Sequence, residues 1–129
     1  MDLNLNLGLA AHLGIKFVET GPERVVAELE IREEVSTLGG AIHGGALMAL
    51  ADTAGALGTL SFLEQTPSAG KATATLESKT NFFAAARAGK VRAEATPLHK
   101  GRRTHVWQTR VTDAAGKLLS LTIQTQIIL

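Results

Sequence analysis

The chain has 129 residues, 45% of them hydrophobic, a length and composition suited to one domain (residues 1–129) with a substantial core. Thirteen basic and 12 acidic side chains leave a net charge of +1, without the basic excess of a general nucleic-acid binder. The absence of cysteine excludes disulfides, thiol catalysis and thiolate-held metals.

In chain order, residues 3–13 predict a short N-terminal helix or arm. The first seven residues alternate apolar with polar side chains and lack a basic n-region. They do not read as a secretory signal, so a cytoplasmic location is expected. Residues 15–19 read as a short strand, and Gly21-Pro22-Glu23 as a turn. Val25, Ala27, Leu29 and Ile31 then alternate with Glu28, Glu30 and Arg32, the pattern of a half-buried strand. Residues 33–42, with Ser36, Thr37, Gly39 and Gly40, form a loop that leads into His43.

The stretch 43–63 is long and apolar enough to suggest a membrane span. Nine of residues 44–63 are Gly or Ala, however, and Asp52 is the only charge before Glu64. No membrane association is expected. The segment predicts a buried core helix, apolar nearly all round. A lone carboxylate there is costly unless paired or protonated, which makes Asp52 a functional candidate. It would serve as a general base or as a nucleophile, the rival being a structural acid that pairs or caps. At the helix start, Gly44 and Gly45 offer unpaired N–H groups at the positive end of the dipole, and these suit an oxyanion. The rival is that the glycines only permit tight packing. His43 would act as acid, base or orienting residue, and a single His at a helix start is more often structural.

Pro67 and Gly70 end the helical region. Strands follow at 71–83, 90–98, 102–113 and 117–129, with His99-Lys100-Gly101 as one of the turns. In the first of them Ala72, Ala74, Leu76, Ser78, Thr80 and Phe82 alternate against Thr73, Thr75, Glu77, Lys79, Asn81 and Phe83. The last carries Leu119, Leu121, Ile123, Thr125, Ile127 and Leu129 on one side. Turns this short require antiparallel pairing, so the chain predicts an α+β two-layer domain of one long helix and about six strands.

His43-Gly44-Gly45 followed by Asp52 resembles the HGG-x6-(Asp/Glu) segment of hotdog-fold acyl-CoA thioesterases. The branch is the PaaI-like one, the phenylacetic-acid-degradation and 4-hydroxybenzoyl-CoA thioesterase type, and the likeness runs over about residues 13–129. It implies a central helix wrapped by an antiparallel sheet. It also implies thioester hydrolysis, with Gly44 N–H as oxyanion donor, Asp52 as base or nucleophile, and His43 in support. By the same likeness Thr75 would help hold the attacking water. Gly45, Thr37, Asn81, Phe82 and Arg87 would contact substrate. Related enzymes carry Asn or Gln where this chain has Thr37, and an aromatic-x-Arg-Pro run where it has Phe82-Phe83-Ala84-Ala85-Ala86. Arg87, Lys90, Lys100, Arg102 and Arg103 at turns suit the phosphates of coenzyme A, Arg102 and Arg103 foremost, or else are solubilising charge. No cofactor is expected beyond the coenzyme A of the substrate. No metal is expected either, since His12, His43, His99 and His105 lack ligand spacing.

Gly44 and Asp52 lie about 12 Å apart along the helix and are rotated by roughly 80°, so one thioester cannot meet both. An obligate dimer with antiparallel helices and shared sites is therefore expected, with two dimers pairing again into a tetramer. The rivals are a hotdog enoyl-CoA hydratase or dehydratase, whose His-Phe-Pro pattern is absent, and a non-catalytic acyl-CoA-binding protein.

Overall fold

The structure is a computed structural model that describes residues 5–129. Residues 3 and 4 of the expected N-terminal arm lie outside the described residues, and the helix there is shorter than expected: α1, Gly8–Leu13. The left-handed Gly14 at φ 80° ends it. β1 (Lys16–Glu19) and β2 (Val25–Glu30) pair antiparallel. Two 3₁₀ turns then lead to α2, Gly44–Gln65. β3 (Thr73–Phe82), β4 (Lys90–Lys100), β5 (Thr104–Thr112) and β6 (Leu118–Ile128) complete one antiparallel sheet in the order β1-β2-β4-β5-β6-β3. This is the α+β hotdog arrangement that the motif implied. β4 runs on through His99 and Lys100, which pair with Val106 and His105, so the turn is 101–103.

Helix α2 lies across one face of the sheet and touches β2 to β6. Although it is apolar enough for a membrane span, 61% of its most apolar window is buried within the fold. Its small residues let the sheet come close. A Cβ on Gly58 would fall 2.3 Å from the Trp107 ring, and Trp107 is fully buried beneath it. Val25, Ala54, Leu57 and Ala95 pack around that ring, while Leu29, Val35, Leu47, Leu50, Val91 and Leu119 fill the other end of the core.

Two strands differ from their apparent pattern. On β6 the buried side is Ser120, Thr122, Gln124, Gln126 and Ile128, while Leu121, Ile123, Thr125 and Ile127 lie on the outer face, half-buried. The apolar side of the alternation thus faces away from the helix. Three of the polar side chains find hydrogen-bond partners there, Thr122 with Thr80, Gln124 with Asp52 and Gln126 with Thr73. In β3 a bulge between Thr75 and Glu77 breaks the alternation. It turns Thr73 and Thr75 to the helix side together with Ser78, Thr80 and Phe82, which bulges commonly do beside functional sites. Thr75 reaches the helix only because of it.

Candidate active site

The loop before α2 is stitched into a narrow ribbon. Thr37 N–H donates to the Ala41 carbonyl at 2.8 Å, His43 N–H to Val35 at 2.8 Å and Ile42 N–H to Ala86 at 2.9 Å. His43 is thereby delivered in an extended conformation and caps the helix, its Nδ1 accepting the Gly45 N–H at 2.7 Å. A neutral His43 must then carry its proton on Nε2. Gly45 is satisfied by this cap, whereas the Gly44 N–H has no hydrogen-bond partner among the described residues. Phe82 lies over it, with ring carbons 3.3 Å from where a Gly44 Cβ would stand.

Asp52 sits in the middle of α2, half-buried rather than sealed in, and it is not unpaired as the sequence suggested. Its Oδ1 accepts from Gln124 Nε2 at 3.0 Å and lies 2.7 Å from Thr75 Oγ1. All the donors are neutral. Oδ2 has no partner among the described residues, and the carboxylate lines a groove of about 260 Å³ with Met48, Ala49, Thr75 and Ser78. Sequence reading missed Gln124 and Gln126. Their only signal was two glutamines spaced by two, in register with Ser120 and Thr122 on the same side of the strand.

The other expected site residues divide into four groups. Thr37, His43 and Arg87 meet in a cleft of about 790 Å³ with Arg32, Glu33 and Ser36, where Arg87 Nε donates to the Gly39 carbonyl at 3.3 Å. Phe82 and Gly45 border the helix start. Asn81 does not belong to this set. It pairs with Leu121 on the outer face, because the strand alternation that turns Phe82 inward turns Asn81 away.

Arg102 and Arg103 are also remote from Gly44. Their turn lies by the last turns of α2, where Phe62 contacts His105 edge to face at 4.8 Å and the Lys100 ammonium stands 5.5 Å from the Phe62 ring. Antiparallel pairing of β4 and β5 fixes that turn at the far end of the sheet. Lys100 is engaged by Glu23. Burial, and then the charges of Lys100 and His99, hold the His105 pKa below its ordinary value. Among the described residues no group of three or more acidic or histidine side chains is placed to hold a metal ion.

A model of the family described as Thioesterase superfamily matches residues 39–120, which include His43, Gly44, Asp52 and Thr75. The 1,4-dihydroxy-2-naphthoyl-CoA hydrolase of Listeria monocytogenes is 33% identical over 115 residues, 89% of this chain and 90% of that protein. A solved thioesterase from Haemophilus influenzae superposes with a TM-score of 0.85 at 32% identity, over 93% of this chain and 81% of the other. A mutant of the phenylacetic acid degradation protein PaaI from Thermus thermophilus gives a TM-score of 0.82 at 30% identity, over 93% and 97%.

Proposed function

The chain belongs to the thioesterase superfamily, and from that premise we propose that this enzyme cleaves an acyl-CoA to the free acid and coenzyme A. The observation that carries the reading is the Asp52 carboxylate, occupied on Oδ1 and open on Oδ2 at a groove. Gly44 N–H would donate to the carbonyl oxygen of the thioester and stabilise the oxyanion. Asp52 would take a proton from water as the water oxygen bonds to the carbonyl carbon. Collapse of that intermediate breaks the C–S bond, and the thiolate recovers the proton from Asp52. In the nucleophilic version Asp52 attacks the carbonyl itself and the C–S bond breaks to release the coenzyme A thiolate. Water then opens the resulting anhydride to the free acid and the Asp52 carboxylate, and its remaining proton goes to the thiolate. Thr75, beside the carboxylate, would steady the water, and His43 would fix the helix start. Neither version calls for a cofactor or a metal. A cytoplasmic location belongs to the same reading, since acyl-CoA is used there.

The two catalytic groups would come from different subunits. A two-fold dimer with antiparallel α2 helices places each Gly44 by the partner's Asp52, with Met48 midway and next to the axis. Met48 is 37% exposed, and β3 is an edge strand with one side free for a partner, both of which support this pairing. It would also bring the partner's Arg102–Arg103 turn about 15 Å beyond Gly44, within reach of the phosphates of a bound coenzyme A. Two such dimers could pair again through their outer sheet faces, where Leu121, Ile123 and Ile127 are half-buried.

The test is thiol release over a panel of acyl-CoAs that begins with an aromatic one, the class named for the Listeria relative. Asp52→Ala should lower turnover by roughly 10²–10⁴-fold. Near-native rates in that variant would sink the mechanism. Hydration of an enoyl-CoA without thiol release would point to the hydratase class instead.

A further inference from the structure

We propose that Gln124 is the positioning residue of Asp52, fixing the carboxylate by Oδ1 so that Oδ2 alone faces the substrate, and that Gly55 is the gap that admits it. The inference rests on Asp52 being the reacting acid.

Gln124 stands on β6, 72 residues from Asp52, and is fully buried under α2. Its amide nitrogen has two hydrogens. One goes to Asp52 Oδ1 at 3.0 Å, with the Asp52 carbonyl a weaker neighbour at 3.3 Å, and the other goes to Gln126 Oε1 at 2.9 Å. The chain continues through Gln126 Nε2, which donates to Thr73 Oγ1 at 3.1 Å, and Thr73, which donates to the Ile127 carbonyl at 2.8 Å. Each amide nitrogen and the Thr73 hydroxyl in this series has at least one acceptor, and the far end is anchored on backbone. Thr75 lies 2.7 Å from both Asp52 Oδ1 and Gln126 Oε1, and its single proton serves one of them at a time. The amide cannot turn over without setting its oxygen against the carboxylate.

Gly55, one turn after Asp52, shows how closely the amide is held. A Cβ there would lie 2.3 Å from Gln124 Oε1 and 2.5 Å from its Cδ. Any side chain at 55 would push the amide away from Asp52. Gln124 Oε1 has no partner among the described residues, and Gln124 Nε2 faces the carboxylate. A buried strand position needs no amide for packing, because methionine fills similar volume without a polar group to satisfy.

The experiment compares Gln124→Met, which keeps volume and loses the donor, with wild type in acyl-CoA hydrolysis. We expect kcat to fall by about 10–100-fold with KM within about twofold, the mark of a misaimed reacting group. In an Asp52→Asn background, adding Gln124→Met should change the residual rate by less than about twofold, since Gln124 acts only through the carboxylate. Gly55→Ala keeps the chemistry of both side chains but displaces the amide and should reproduce the kcat loss, so it carries the test if Gln124→Met does not fold. Native kcat in a folded Gln124→Met or Gly55→Ala, or an undiminished loss in the Asp52→Asn background, overturns the proposal. Activity surviving Asp52→Ala would instead remove the reading of Asp52 itself, a separately visible result.

Discussion

Asp52 and Gln124 differ in how much of them could be read in advance. A carboxylate alone in an apolar helix stands out in a linear string, as does a His-Gly-Gly at the helix start. Gln124 does not, because only the folded sheet sets it against Asp52. The hydrogen bonds also reverse an expectation about stability. An unpaired buried acid would destabilise the fold, so removing it should help. Here Asp52→Ala strands the Gln124 amide instead, and should cost about 1–3 kcal/mol in a denaturant titration. His105 gives the pH dependence. It is fully buried, its Nδ1 lies 3.0 Å from Thr59 Oγ1, and Thr59 also accepts from Trp107 Nε1 at 2.9 Å. Its pKa is lowered from 6.5, so between that value and the folded one the unfolded chain binds a proton that the folded chain refuses. Stability should therefore fall as pH drops below about 6.5. Melting curves of His105→Gln should be flatter over that range, and an equal acid sensitivity would show that His105 is not the cause.

At the scale of elements, the long helix and the antiparallel strands were legible because hydrophobic period and turn spacing specify them directly. Which face of a strand points inward was not. A period of two announces two sides, and Leu121, Ile123 and Ile127 look like the core side of β6 until Gly55 and Asp52 are seen above Gln124. The bulge in β3 was equally silent, since nothing near Leu76 departs from an ordinary strand composition. Close approach of helix and sheet depends on Gly58, where Trp107 occupies the space of a side chain. Gly58→Ala should force the helix outward and cost about 1–3 kcal/mol, despite alanine's better helix propensity. A chemical denaturation midpoint at or above wild type would show that the contact can relax freely.

At the scale of the whole molecule, the proposed dimer with shared sites rests on the separation of Gly44 from Asp52. Co-expression of Asp52→Ala with Gly44→Pro tests this. His43 already has the extended backbone that a following proline demands, with φ −66° and ψ 134°, so the substitution removes the N–H with little backbone strain. It adds ring carbons that the Phe82 side chain must yield to, its ring lying 3.3 Å from the Cβ position. Each homodimer should be nearly inactive, while random mixing should restore about a quarter of native activity, half the dimers having one intact site of two. Confirmed mixed dimers that stay inactive would rule out sharing. The face reversal of β6 has one more consequence. If β6 slid by a single residue, every side chain would change sides. Leu121, Ile123 and Ile127 would enter the interior and the glutamines would leave it, giving a greasier decoy with nothing to hold Asp52. The β5–β6 turn stands against that slip: Asp113 Oδ1 accepts the N–H groups of Ala115 at 3.0 Å and Lys117 at 2.9 Å, and Gly116 sits at φ 88°. If Asp52 is the reacting acid as proposed, loosening this hairpin tip by Asp113→Ala should lower turnover in a protein that still folds.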